Sequence, residues 1–202
     1  MEIGILAVQG AFAEHESILL ELGVSCFEIR QKKDLFKPMD GLILPGGEST
    51  VMGKLIRELG IFDILKNRIE EGLPVMGTCA GLILLAEKLA NDSHVYFGTL
   101  PVTVIRNAYG RQLGSFFTQA EVAHIGRIPM TFIRAPFIES CQDNAEVLAT
   151  VEGRIVAVRY ENQIGLSFHP ELTNDTRLHQ YFLHNVVKNY QVVRKYTKTD
   201  KT

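Results

Sequence analysis

A chain of 202 residues with 46% hydrophobic and 22% charged residues has the composition of an ordinary globular protein with one substantial core. A formal net charge of −2, with no Lys/Arg run longer than a pair, offers no electrostatic footprint for nucleic acid or an anionic membrane, and no apolar stretch reaches membrane-spanning length. The three cysteines, Cys26, Cys79 and Cys141, are too few and too unpatterned for a disulfide framework or a C-x-x-C metal site, which suits a reducing cytoplasm and gives no reason to expect a metal or a cofactor.

The chain opens at residues 3–8 with an apolar run that no basic segment precedes, so it reads as a buried strand and not as a signal peptide. A helix is expected at 14–22, strands at 24–29 and 41–44, helices over 50–70, a strand at 74–77 and a helix at 80–90. Continuous apolar strands separated by amphipathic helices argue for a parallel sheet buried on both faces. Beyond residue 97 the texture changes to short β-branched stretches at 102–105, 130–133, 147–151, 155–160 and 164–168, several of them expected to be antiparallel. Thr173 has the look of an N-cap for a closing helix to about residue 188, with Leu178, Phe182, Leu183, Val186 and Val187 at helical spacing. The expectation is one α/β domain over residues 1–190, a three-layer α/β/α sandwich of flavodoxin-like type with a mostly parallel central sheet, additional antiparallel strands and a fraying tail at 191–202.

In such a fold the site lies at the carboxyl ends of the parallel strands. Cys79 stands there, inside Gly77-Thr78-Cys79-Ala80-Gly81, between an apolar strand and an apolar helix. A free cysteine among apolar residues is commonly a packing residue, the role expected of Cys26 and Cys141. Flanking glycines argue otherwise: they are unfavourable inside strands and helices but permit a sharp strained turn that exposes the side chain between them, as in the G-x-S-x-G nucleophile elbow. The helix that follows favours a thiolate at its N-terminus.

A thiolate needs a base, and the base an orienter. His169 and Glu171 meet that need, following a strand and separated by Pro170, which holds residue 169 extended so that the two side chains point to one side. His15, His94, His124, His179 and His184 are taken as structural or solvated. Pro45-Gly46-Gly47 is either a plain tight turn or a source of a backbone N–H for an oxyanion, with the N–H of Ala80 as second donor. A phosphate loop fails on spacing around Gly53-Lys54, and His15-Glu16 lacks the second histidine of a zinc protease helix.

Taken together, Gly4-Ile5-Leu6-Ala7-Val8-Gln9-Gly10-Ala11-Phe12, Glu14-His15, Leu44-Pro45-Gly46-Gly47-Glu48-Ser49-Thr50, the cysteine elbow and Phe168-His169-Pro170-Glu171-Leu172 resemble the class I, triad-type glutamine amidotransferases. Over nearly the whole chain the likeness is to the glutaminase subunits of two-component pyridoxal 5′-phosphate synthases. The resemblance implies a triad of Cys79, His169 and Glu171, glutamine held by Gly47, Glu48, Ser49, Arg106, Ile133 and Arg134, and an oxyanion hole at Gly47 and Ala80. Without it, Arg106 and Arg134 would read as surface charges. It also implies that L-glutamine is hydrolysed to glutamate and ammonia. By the same resemblance the ammonia is expected to pass to a (β/α)8-barrel synthase subunit, in a large complex with a dodecameric core, that makes the coenzyme as product. The residues leave open a glutaminase serving another synthase, a γ-glutamyl peptidase, or a non-catalytic α/β interaction module.

Overall fold

The computed structural model describes residues 1–90, 92–106, 114–142 and 144–192. The part of the expected tail beyond residue 192 lies outside them. β1 (Glu2–Leu6) leads to α1 (Phe12–Glu21), and β2 (Ser25–Ile29) and β3 (Gly41–Leu44) flank β1 in parallel register. Next come α2 (Ser49–Glu58), α3 (Phe62–Glu70) and β4 (Val75–Thr78), which pairs in parallel with β3. After Cys79 the short helix α4 (Ala80–Leu85) is buried at every position.

The expected helix 80–90 ends early. Ala86 turns to ψ 135° and the chain leaves as β5 (Ala86–Leu89), because Ala-Glu-Lys-Leu, good helix formers, gain more by pairing with β6 (Leu100–Ile105) than by prolonging α4. β7 (Ser115–Val122) and β8 (Gly126–Ile133) form a separate antiparallel ribbon. β9 (Phe137–Cys141), β10 (Glu146–Val151), β11 (Arg154–Tyr160) and β12 (Gln163–Leu166) follow. β5, β7 and β9 are strands the sequence reading did not anticipate.

The large sheet runs β2-β1-β3-β4-β12-β11-β9-β6-β5, with β10 added on β11. From β2 to β12 neighbours are parallel, whereas the pairings of β11 with β12, β10 and β9, and of β9 with β6, are antiparallel. The parallel part is buried on both faces, as its apolar strands require. Side chains alternate: Leu6, Leu42 and Leu44 join the core with α2, α3 and α4, while Ile3, Ile5 and Ile43 join the opposite core with α1 and the closing helix. This is the three-layer arrangement.

The closing helix also departs from expectation. It begins as α5 (Arg177–Tyr181), preceded by Thr176, continues as a π-helical stretch Phe182–Val187 and stays helical to 192. Thr173 does not cap it; its hydroxyl donates to the Pro170 carbonyl and accepts from the Asp175 N–H, closing the short 3-10 turn Pro170–Leu172. Among the described residues no helix is long and apolar enough to cross a membrane.

Candidate active site

The carboxyl ends of β3, β4 and β12 carry the Gly46-Gly47 loop, Cys79 and the segment to His169 side by side. Cys79 sits at φ 48°, ψ −97°, a conformation that costs a non-glycine residue about 1–3 kcal/mol and points to a site where position outweighs comfort. The glycines around it are there for a different reason than a turn: neither has a positive φ. A Cβ at Gly81 would stand 2.0 Å from the Leu44 carbonyl oxygen, and one at Gly77 would stand 2.6 Å from the Gly81 carbonyl carbon. Both let the start of α4 press onto β3 and β4, which fixes the sulfur over the sheet edge. Cys79 is 7% exposed, and its Sγ lies 4.0 Å from the Ile133 carbonyl oxygen at the end of β8.

His169 and Glu171 are both nearly buried, and their side chains are joined by a 2.7 Å hydrogen bond between Nδ1 and Oε1. Their meeting does not come from an extended segment, as the sequence suggested. Pro170 opens a 3-10 turn, which brings the carboxylate back under the imidazole. The His169 backbone N–H donates to the Thr131 carbonyl on β8 at 2.8 Å, so the ribbon is tied to the base. Burial opposes a charge on His169, but hydrogen bonds to Cys79 and Glu171 overcome it and raise its pKa to about 10. With Nδ1 held by Glu171, Nε2 is the nitrogen left to serve the sulfur. Glu171 is held low against its burial, which acts the other way, by the favourable electrostatics of the facing His15 edge and by the hydrogen bond from His169 and that residue's charge.

Behind the carboxylate is a residue the sequence reading set aside. His15 of α1 is fully buried, with Nε2 3.5 Å from Glu171 Oε2 and 3.3 Å from the Thr78 hydroxyl, and Nδ1 2.9 Å from His179 Nε2. Burial lowers the pKa of His15 and lowers that of His179 well below the usual histidine range. Both imidazoles are therefore neutral near pH 7, and what His15 offers Glu171 is an oriented N–H rather than a net charge. The signal was legible: His15 shares the inward face of α1 with Ile18 and Leu19.

Cys79 and His169 open into a cavity of about 530 Å³ that is also lined by Gln9, Gly10, Glu14, Gly46, Gly47, Glu48, Ser49, Arg106, Ile133 and Arg134. Every residue expected to hold glutamine thus lines the cavity into which the sulfur opens. Ala80, expected as an oxyanion donor, follows Cys79 but does not line the cavity and is 1% exposed. The Glu48 carboxylate is already engaged: it caps α2 by accepting from the N–H groups of Thr50 (3.1 Å) and Val51 (2.7 Å), and it lies 3.5 Å from Arg106. Arg106 is further braced by Asp92 at 2.8 Å and Thr50 at 3.1 Å, which aims a planar fork along the cavity wall.

The glycine loop is pinned from β1: the Ala11 N–H donates to the Gly46 carbonyl at 2.9 Å, and the Glu48 N–H to Gln9 Oε1 at 2.8 Å. Gly10 has φ 98°, and a Cβ there would fall 1.9 Å from the Gly46 oxygen. Among the described residues no cluster of three or more His, Cys, Asp or Glu side chains could hold a metal ion. Taken as a set, the groups can carry out nucleophilic acyl transfer, with a sulfur, an oriented imidazole and a polar cavity large enough for an amino acid.

Residues 5–188 match the SNO glutamine amidotransferase family. The chain is 63% identical over 186 residues to a Desulfitobacterium hafniense protein named pyridoxal 5′-phosphate synthase subunit PdxT, a match spanning 92% of this chain and 94% of that one. It is 53% identical over 186 residues to the Haemophilus influenzae protein of the same name, spanning 91% and 97%. A crystal structure of a glutamine amidotransferase, 44% identical, superposes with a TM-score of 0.85 over 90% of this chain and 97% of that one. A glutamine amidotransferase from Thermotoga maritima, 17% identical, superposes at 0.59 over 94% and 85%, a likeness of fold alone.

Proposed function

This chain belongs to the SNO glutamine amidotransferase family, and from that premise we propose that it hydrolyses L-glutamine and passes the ammonia to a partner subunit for pyridoxal 5′-phosphate synthesis. The observation that carries the chemistry is the convergence of Cys79, His169 and Glu171 on one cavity.

The Cys79 thiolate attacks the side-chain amide carbon of glutamine and forms a tetrahedral intermediate. A protonated His169 is the neighbour such a thiolate needs. His169 gives its Nε2 proton to the departing nitrogen, the C–N bond breaks, and ammonia leaves a glutamyl thioester. The same nitrogen then takes a proton from water as the hydroxide adds, and the C–S bond breaks to release glutamate and restore the thiolate. Arg106, Arg134 and Ile133 with the 47–49 loop hold the amino-acid end. An arginine suits the α-carboxylate because its fork binds in two places.

The oxyanion is stabilised by backbone N–H groups of Gly47 and Ala80. Because the Gly46 carbonyl is tied to Ala11 and Ala80 lies outside the cavity lining, this pair of donors is completed only when the partner engages the Gln9-to-His15 segment and reorients the Gly46-Gly47 peptide. The partner is a (β/α)8-barrel synthase with a dodecameric core. Free ammonia would be protonated in water and lost as a nucleophile, which is why transfer must be direct. Three free cysteines fit a cytoplasmic setting.

The test is glutamate release by wild type and by Cys79→Ala, with and without the barrel synthase. Wild type is expected to be slow alone and to accelerate with the synthase, and Cys79→Ala to be silent in both while melting normally. Glutamate release by Cys79→Ala would overturn the triad; equal wild-type rates with and without synthase would overturn the partner switch.

A further inference from the structure

The catalytic carboxylate has two oxygens, and the triad accounts for one. Glu171 Oε1 accepts from His169, while Oε2 is buried with no hydrogen bond of its own and faces His15 Nε2 at 3.5 Å. A carboxylate oxygen buried away from water needs a donor. We propose that His15, backed by His179, is a positioning residue of the triad, presenting an Nε2–H to the second oxygen of Glu171 and so fixing the carboxylate that orients His169.

The hydrogen-bond network assigns the tautomers. An ionised carboxylate only accepts, so the His15 nitrogen that faces it must carry the proton. A neutral His15 then has a lone pair on Nδ1, and His179 Nε2–H donates to it across 2.9 Å. That leaves His179 Nδ1 as a lone pair, and this is the atom the structure leaves buried without a partner. The opposite assignment would set a lone pair of His15 against a carboxylate and bury an orphaned N–H on His179, two penalties where the first assignment has one smaller penalty. All donors thus run one way, from His179 to His15 and from the His15 Nε2–H to Glu171 Oε2 with the Thr78 hydroxyl oxygen as a second acceptor at 3.3 Å, while His169 donates from the other side.

Nothing on the surrounding elements displaces this pair. Glu171 and His169 face it from the turn after β12, Thr78 from β4, His179 from α5 and Glu14 from its own helix. The placement also joins the two halves of the site. α1 carries His15 against the triad, and the Ala11 N–H just before it holds the Gly46 carbonyl. A shift of this helix is felt by base and glycine loop together.

The inference rests on the proposed triad, and two measurements separate the failure of one from the failure of the other. Long-range proton–nitrogen correlation NMR on 15N-labelled wild-type protein at neutral pH should show His15 neutral with Nε2 protonated. A doubly protonated His15, or an Nδ1–H tautomer, overturns the proposal whatever the kinetics. In the complex with synthase, His15→Leu should lower kcat for glutamine roughly 10- to 100-fold, as expected for a base held about an ångström out of place, with KM within about twofold. It should also move the acid limb of the pH profile upward, because Glu171 without its donor takes a proton at higher pH. His15→Gln, which keeps an N–H near the same place, should recover most of kcat and restore the limb. A purely structural His15 would lower the melting temperature and leave kcat and the limb in place, and that result refutes the role. If Cys79→Ala is inactive while His15→Leu matches wild type, the triad stands and only this inference falls.

Discussion

Gly46 packs directly against the imidazole of the base, and replacing it by alanine probes how finely His169 is placed. A Cβ built at Gly46 would lie 2.2 Å from His169 Cε1 and 2.7 Å from Nδ1. Ordinary contact begins near 3.4 Å, so imidazole and loop must part by about 1.2 Å. The loop cannot absorb all of this, since its Gly46 carbonyl is tied to Ala11 and Gly10 packs against it. The imidazole can yield into the cavity, but only by stretching its 2.7 Å bond to Glu171. A misplacement of about 1 Å at a reacting group lowers the rate roughly 100-fold, equivalent to about 2.7 kcal/mol in the barrier. Gly46→Ala is therefore expected to lose about two orders of magnitude in kcat/KM for glutamine, measured as glutamate release in the synthase complex. The melting temperature should change little, because the displaced ring has open space to enter. A variant within about threefold of wild-type kcat/KM would show that His169 is not held where the structure places it.

Gly81→Ala acts on stability instead. Its methyl meets backbone, 2.0 Å from the Leu44 oxygen, so α4 must lift off β3; a loss near the top of the ~1–3 kcal/mol range for overpacking should lower the melting temperature by roughly 6–12 °C, and an unchanged melt would refute the close approach. Arg106→Ala should raise KM for glutamine about 10- to 100-fold with kcat far less affected, the signature of a lost charge-assisted bond, and a kcat defect at unchanged KM would contradict a binding role. For pH, His169 is raised to about 10, so its contribution to stability is complete below 6.5 and fades as pH rises from 6.5 through 10. His15 and His179 are lowered, so theirs is present above 6.5 and is lost below it, and Glu171, also lowered, adds to the loss below its unfolded value of 4.5. Thermal melts should peak near neutrality, and His179→Phe should remove about one proton, or ~1.4 kcal/mol per pH unit, from the acid slope; identical acid slopes would refute the buried neutral pair.

The nucleophile was legible in the sequence because an elbow leaves a local mark: a reactive residue type between glycines at a strand-to-helix junction. The reason for those glycines was not, since close approach of Gly81 to Leu44 is a long-range contact that no local pattern encodes. The parallel half of the sheet was readable from continuous apolar strands. β5 was not, because Ala-Glu-Lys-Leu favours helix and only its partner β6 makes it a strand. β7 escaped for a related reason: among the described residues it pairs with β8 alone, and it leaves Phe117 exposed, so its apolar pattern is weak. By residue type His15 and His179 read as structural, though each lies on an inward helical face, His179 beside Leu178 and Tyr181. A titratable group on the apolar stripe of a helix next to a site marks a buried polar network, and that is the mark that was available.

Capture of the nucleophile tests the role of Cys79 most directly. The protein in complex with its synthase is exposed to a diazoketone analogue of glutamine, digested and analysed by mass spectrometry. Modification is expected on the peptide carrying Cys79, blocked by excess glutamine and lost in His169→Ala, with Cys26 and Cys141 untouched. Labelling spread over the three cysteines, or none in a folded complex, would contradict the assignment of Cys79 as the residue that attacks glutamine.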